Sequence, residues 1–281
     1  MLAILQRLPE ELIDGRSGSI LSPMTHAVDP LIQVISLKNS TARRRTFSHW
    51  NRHLQFDFFP AIDGAAISQE TISSSNCFLE PLAYGPGAYG CALSHRSLWQ
   101  RTVDTNRPLT IAEDDAIFRL DFQDQAARFI DGLPDDWDLV LWGWNFDSIL
   151  SARVTESLAP VLMLFDQVAL RTTLGRYQSS TDVPIRYRLQ YSFGTPAYTI
   201  SPKGAERYLQ ACFPIRDFMI DIPGLPGPIR NNGIDIVMNQ IYGLTAAYVA
   251  LPPLAVTPNM SETSTINRQD PSVMDGHNQA R

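Results

Sequence analysis

The chain has 281 residues, 44% hydrophobic and 19% charged, which is long and apolar enough to bury the core of one large domain and excludes a disordered chain. Its three cysteines, Cys77, Cys91 and Cys212, exclude a disulfide framework and suit a reducing compartment. With 23 Lys and Arg against 29 Asp and Glu the net charge is −6, which argues against broad nucleic-acid binding, an activity that runs on positive charge against phosphates.

No stretch approaches the roughly 18 uninterrupted apolar residues needed to span a bilayer. The apolar run at Met1–Leu5 is too short for a signal peptide, and Arg7, Glu10 and Glu11 follow at once. The reading is a cytoplasmic protein, with room for peripheral contact with the inner membrane through basic residues. Residues 1–30 read as an N-terminal extension, 31–256 as a single domain and 257–281 as a polar, flexible tail.

The β-branched run Leu31–Leu37 predicts a strand, and Phe47, Trp50 and Leu54 give one apolar stripe for a helix over 42–55. A second strand is expected over 56–62, closed by the turn pair Asp63-Gly64. Residues 65–89 read as a long loop, and helix resumes at Gly90. The strand Pro108–Ala112 runs straight into Glu113-Asp114-Asp115. A helix over 122–130 and a strand over 137–142 follow. Periodicity leaves 150–192 unassigned, and Val161–Phe165 reads as either a strand or a buried helical turn. A strand over 196–200, a helix over 202–212, a Pro/Gly loop over 214–233, a short helical stripe at Ile234, Val237 and Ile241 and a last strand over 246–251 complete the pattern. Alternating strands and helices predict an α/β/α sandwich around a mostly parallel sheet.

Besides Asp235, which alone reads as an N-cap at the start of a short helix after the Pro/Gly loop, four constellations could carry chemistry. Glu113-Asp114-Asp115 places three carboxylates at the C-terminal end of a strand, where ligands bind in open α/β sheets. They are either a solvated turn or helix cap, or a site for a hard divalent cation such as Mg²⁺ or Mn²⁺. Gly85-Pro86-Gly87-Ala88-Tyr89-Gly90 satisfies G-x-G-x-x-G, the fingerprint of an NAD-dependent oxidoreductase. The segment before it is polar and broken by Pro81 where a strand is required, which favours a hinge or helix lead-in. Cys91 and His95 stack one helical turn apart, a poor nucleophile pair, and a zinc site lacks its remaining Cys or His ligands. Arg43-Arg44-Arg45 is either a solvated helix face or a diphosphate contact in the first turn after a strand.

Taken in order, Val34–Leu37 with Arg43-Arg44, Phe58–Gly64, Gly90–Trp99, Ile111–Ala116, Trp137–Leu141, Ala197–Ala205 and Ile234-Asp235 resemble glycosyltransferase family 25. That family comprises the lipooligosaccharide-type galactosyltransferases of bacteria and their collagen-modifying relatives. The resemblance implies a GT-A-type, Rossmann-like fold, and a UDP-sugar donor, commonly UDP-galactose. It further implies Mn²⁺ or Mg²⁺ at the acidic triplet, a glycan acceptor and inversion at the anomeric carbon. On it, Glu113 and Asp115 would hold the metal, and Ser36, Leu37, Arg44, Ser94, His95, Glu113 and Asp114 would surround the nucleotide. Asp235 would be the base, with Asp221 its alternative. The chain departs from the family in carrying Ala88-Tyr89 where an acidic residue usually precedes the Gly-Cys step, and in having no histidine after His95 except His277. A non-catalytic nucleotide-sugar or glycan-binding protein on the same fold is the remaining alternative.

Overall fold

The computed structural model describes residues 31–79 and 81–259, so the expected extension over 1–30 and the tail beyond 259 lie outside the described residues. Strand β1 (Ile32–Ser36) is buried along its whole length, as expected of a strand covered on both faces. Helix α1 (Thr41–Trp50) turns Phe47 inward, and β2 (Phe56–Pro60) returns parallel to β1. This βαβ unit matches the expected one, except that the helix stops at Trp50, short of Gln55.

The stretch expected to be a long loop carries structure. Helix α2 (Gln69–Ser74) is capped by Ser68, whose Oγ accepts the Thr71 N–H at 3.1 Å. Phe78–Leu79 pairs with Ile215–Arg216. Helix α3 (Pro86–Thr105) starts four residues earlier than expected, because Pro86 takes the first helical position, where its missing N–H costs nothing. The Pro/Gly loop over 214–233 likewise holds a small hairpin, Met219–Ile220 against Ile229–Arg230.

Next come β3 (Leu109–Glu113), α4 (Phe122–Asp131) and β4 (Leu139–Gly143), close to the expected bounds. The unassigned segment resolves into β5 (Ile149–Arg153), β6 (Val161–Leu164), α5 (Gln167–Gln178) and β7 (Ile185–Ser192). Val161–Leu164 is a strand at the sheet edge, and its exposure explains why periodicity could not place it. The chain then forms β8 (Ala197–Ile200), α6 (Pro202–Cys212), α7 (Ile234–Met238) and β9 (Ala247–Leu251).

Among the described residues these nine strands form one sheet in the order β2-β1-β3-β8-β4-β9-β7-β5-β6. Strands β2, β1, β3, β4, β9 and β5 share one direction, so the sheet is mostly parallel by strand direction. Strand β8 is inserted antiparallel between β3 and β4. Ile111, Leu139, Leu141, Tyr198 and Ile200 pack with Ala92, Leu98 and Trp99 of α3 and Ala205 and Tyr208 of α6 on one face. Ile32, Val34, Val140 and Trp142 pack with Phe47 of α1 and Phe122, Phe129 and Ile130 of α4 on the other. The molecule is therefore the α/β/α sandwich expected. Thr110 and Thr199 share a hydrogen bond inside the sheet, and Trp142 donates to Thr199 at 2.7 Å, so the buried hydroxyls are satisfied.

One packing contact sets the position of α3. A Cβ on Gly90 would lie 2.2 Å from the Ile62 carbonyl oxygen, and one on Gly64 would lie 1.7 Å from the Pro86 carbonyl oxygen. The helix and the turn after β2 meet backbone to backbone, which only glycine allows. Gly175, exposed inside α5, has nothing within 4 Å of the same added atom. Gly90→Ala is expected to destabilise the fold by about 1–3 kcal/mol or more through overpacking, whereas Gly175→Ala is expected to stabilise it by about 0.5–1 kcal/mol. Thermal unfolding of the two variants beside the parent checks both signs; equal melting temperatures would refute the contact.

Candidate active site

Strands β1 and β3 run parallel, so their C-terminal ends reach the same edge of the sheet. The start of β8 arrives there too, because β8 runs antiparallel to β3 with Ala197 opposite Ala112. A cavity of about 420 Å³ opens at this edge. Leu37, Asn39, Ser40 and Arg43 wall it from β1 and α1, and Asp63 and Gly64 from the turn after β2. Gly85, Gly87 and Cys91 close it from the start of α3, and Glu113 and Asp114 from β3.

Each member of the acidic triplet has its own partners. Asp114, almost fully buried, accepts from Ser36 Oγ at 2.6 Å and from Arg43 Nε at 2.6 Å. Arg43 Nη2 also stands 2.5 Å from Asp114 and 3.2 Å from Asp115. Glu113 accepts from Thr195 Oγ1 at 2.7 Å and faces His95 Nε2 at 3.8 Å, a charge contact too long for a hydrogen bond. Burial alone would push the Glu113 carboxyl up; the contacts with His95 and Thr195 and the charge of Arg43 outweigh it and hold the carboxyl below its ordinary value. Asp115 goes the other way: burial and the adjacent Glu113 charge push it up against the pull of Arg43. Its Oδ1 is buried without a hydrogen-bond partner.

His95 is oriented from behind. Trp99 Nε1 can only donate, and it gives its hydrogen to Tyr198 Oη at 2.7 Å. The Tyr198 hydroxyl proton is then available to His95 Nδ1, also at 2.7 Å. With Nδ1 engaged by Tyr198, Nε2 is the ring nitrogen that faces Glu113. The imidazole is fully buried and stacked on the Tyr198 ring at 5.7 Å.

The fourth carboxylate comes from far along the chain. Asp235 sits in the first turn of α7, and its Oδ2 accepts the Gly194 N–H at 3.0 Å. Burial, with a contribution from the Glu113 charge, pushes this carboxyl up despite that hydrogen bond. Gly194 has φ +74°, the left-handed region, and a Cβ there would lie 2.3 Å from the Asn145 side chain. The segment 193–196 thus ties Asp235 to the triplet: Gly194 donates to one carboxylate and Thr195 to the other.

Of the residues singled out in the sequence, Leu37, Glu113 and Asp114 line the cavity, His95 faces Glu113, Asp115 shares Arg43 with Asp114, and Asp235 is linked to Glu113 through the adjacent donors Gly194 and Thr195. Ser36 and Arg44 do not line it. Ser36 spends its hydroxyl on Asp114, and Arg44 donates to Ser36 and lies over the Phe58 ring at 4.8 Å. The arginine that enters the cavity is Arg43, one position earlier, because the helical turn carries its neighbour towards β2. Ser94 is a packing residue: its Oγ accepts the Ile62 N–H and donates to the Gly90 carbonyl. Asp221 stands exposed beside the 219–230 hairpin, and no hydrogen bond or ion pair among the described residues joins it to the carboxylates. Thr195 and Gly194 carried no motif and are found only through the fold. The Gly85–Gly90 segment opens α3 with no strand of the central sheet before it, so it lacks the strand–turn–helix frame of a dinucleotide site.

The oxygen donors of Glu113 and Asp115, with an unpartnered Asp115 Oδ1, are a set that could hold a hard divalent cation. No helix of the described residues is long and apolar enough to cross a membrane.

Comparison with known proteins bears on this site. The family model for glycosyltransferase family 25 (LPS biosynthesis protein) matches residues 30–222. A glycosyltransferase 25 family member of Aedes aegypti is 29% identical over 125 residues, covering 40% of this chain and 21% of that protein. Procollagen galactosyltransferase 2 of Homo sapiens is 24% identical over 196 residues, covering 64% of this chain and 27% of that protein. Procollagen galactosyltransferase 1-A of Xenopus laevis is 25% identical over 192 residues, covering 63% of this chain and 28% of that protein. The chain therefore spans only about a fifth to a quarter of the length of these relatives. The match over 30–222 takes in β1, the arginines of α1, the whole of α3 and the acidic triplet, and on it the chain belongs to glycosyltransferase family 25.

Proposed function

We propose that this chain transfers a hexose, galactose first among the candidates, from a UDP-sugar to a hydroxyl of a cell-surface glycan of the lipooligosaccharide type, with inversion at the anomeric carbon. The observation that carries this reading is that two adjacent residues, Gly194 and Thr195, donate to Asp235 and to Glu113 respectively, and Glu113 lines the cavity that Arg43 enters. In this proposal the cavity offers a guanidinium and carboxylates to a nucleotide diphosphate, and the half-buried carboxylate of Asp235 serves an incoming hydroxyl.

Asp235 is the base in this proposal. Its raised proton affinity suits it to take the acceptor proton as the oxygen attacks the anomeric carbon. The Gly194 and Ile236 backbone N–H groups orient this carboxylate. Asp221, exposed on the hairpin, has no comparable setting. Arg43 meets the diphosphate and so has two tasks, balancing Asp114 and Asp115 and drawing the donor in. His95 holds Glu113 ionised and in place through the Trp99–Tyr198 relay. Glu113 and Asp115 would hold Mn²⁺ or Mg²⁺, which when bound supplies positive charge for the departing diphosphate.

Asp235→Asn is expected to lower transfer by about 10²- to 10⁴-fold, the usual worth of a general base, while UDP binding by calorimetry stays close to the parent; a variant with undiminished transfer would remove Asp235 from the mechanism. In Asp115→Ala, the gain in UDP affinity on adding Mn²⁺ is expected to fall at least about tenfold, and an unchanged gain would place the cation elsewhere. Arg43→Ala leaves buried Asp114 without its ion-pair partner. Breaking a buried pair costs about 3–5 kcal/mol, and since the Arg43 side chain is 21% exposed, about 3 kcal/mol is expected, together with weaker UDP binding. An unaltered melting temperature would show the pair to be dispensable.

A further inference from the structure

Cys91 and His95 sit one turn apart on α3, and sequence spacing alone leaves them short of a metal-binding set. The fold adds a third ligand. Cys91 Sγ, a ring nitrogen of His95 and a Glu113 carboxylate oxygen all lie within 4.8 Å of one another. His95 Nε2 is buried and has no hydrogen-bond partner, and it is aimed at Glu113 across 3.8 Å. A tetrahedral zinc ion bound at ordinary Zn–S, Zn–N and Zn–O lengths separates such ligand atoms by about 3.4 to 3.6 Å. From the observed spacing, ligand atoms need to close by at most about 1.2 to 1.4 Å to reach that.

The other surroundings also suit a metal. The second ring nitrogen of His95 is held by Tyr198, the arrangement that fixes the orientation of a ligating imidazole. Cys91 lines the open cavity, so an ion has a way in and a position left for water or a ligand oxygen. The donor set separates two classes of cation. Glu113 with Asp115 offers oxygen and suits Mn²⁺ or Mg²⁺; Glu113 with Cys91 and His95 offers sulfur, nitrogen and oxygen and suits a softer ion. The two sets share Glu113, so the two ions compete for its carboxylate.

We propose that Cys91, His95 and Glu113 form a second, thiolate-containing site for Zn²⁺ or a similarly soft divalent ion, and that its occupancy inhibits transfer by taking Glu113 from the catalytic cation. The inhibitory half rests on the proposed transferase reaction; the binding half does not. Burial and the negative charges of Glu113 and Asp235 keep the Cys91 thiol protonated in the metal-free protein, so binding releases that proton to solvent as the Zn–S bond forms. Ligation through Nε2 uses that nitrogen's lone pair and places the ring hydrogen on Nδ1, directed at Tyr198 Oη.

The test titrates the full chain with Zn²⁺ in the absence of nucleotide, by calorimetry, and with Co²⁺ as a spectroscopic probe. One equivalent of Zn²⁺ and a thiolate-to-cobalt charge-transfer band are expected in the parent. Cys91→Ser and Cys91→Ala are expected to weaken Zn²⁺ at least about tenfold and to abolish the band. Equal affinity in the variants, or cobalt binding without the band, overturns the site. A second arm adds Zn²⁺ to Mn²⁺-supported transfer and compares each protein with its own rate before zinc. Inhibition of the parent with at least about tenfold less zinc than of Cys91→Ser supports the inhibitory role; equal sensitivity overturns it. Absence of transfer with every UDP-sugar would count against the proposed reaction, and the binding arm would still decide the site.

Discussion

Glu113, Asp114 and Asp115 bring three negative charges together at the end of one strand, and charges that close repel strongly in a partly buried setting. The fold answers them separately. Asp114 turns inward to Ser36 and Arg43, Asp115 shares Arg43, and Glu113 turns to Thr195 and His95. From the bare sequence the triplet asks for a bound cation. The structure shows that a guanidinium already supplies part of the charge, so Arg43 is the element any incoming cation or diphosphate must work with. Much of the architecture of this edge of the sheet serves those pairings: β1 carries Ser36, α1 carries Arg43, α3 carries His95, and β8 is entered through Thr195.

That convergence depends on how closely α3 can approach. Gly64 and Gly90 let the turn after β2 and the first turns of α3 touch through their backbones, and Ser94 locks the contact by bonding both Ile62 and Gly90. A side chain at either glycine would push α3 outward and carry Cys91 and His95 away from Glu113. The same logic applies at Gly194, whose left-handed backbone lets residues 193–196 turn two consecutive groups toward two different carboxylates. Residues that look like packing details thus set distances on which the site's electrostatics rely.

Position along the chain and position in the site diverge most for the arginines and for the carboxylates Asp221 and Asp235. Arg43, Arg44 and Arg45 are chemically identical in sequence, yet only the helical phase sends Arg43 into the cavity and Arg44 onto Phe58. Asp221 and Asp235 both lie in or just after a Pro/Gly-rich stretch that no periodicity orders. One ends on an exposed hairpin and the other under the Gly194 amide, because α7 packs its Ile234, Val237 and Met238 into the core while the hairpin stays at the surface.

The sequence by itself determined the strand–helix alternation, the buried strands β1, β3, β4 and β8, the acidic triplet at a strand end, and the ordered motifs by which the family is recognised. These are local properties: residue type, periodicity and spacing carry them without knowledge of distant neighbours. Only the tertiary structure decided that β8 enters the sheet antiparallel, that the edge segment 161–164 is a strand, that residues 65–89 hold a capped helix, and that Cys91, His95, Thr195 and Asp235 gather at Glu113. Thr195 lies 82 positions from Glu113 along the chain. Which carboxylate is balanced, which keeps an unpartnered oxygen and which has its proton affinity raised follows from contacts of that length, and charge interactions in a partly buried pocket are set by distance and desolvation rather than by order in the chain.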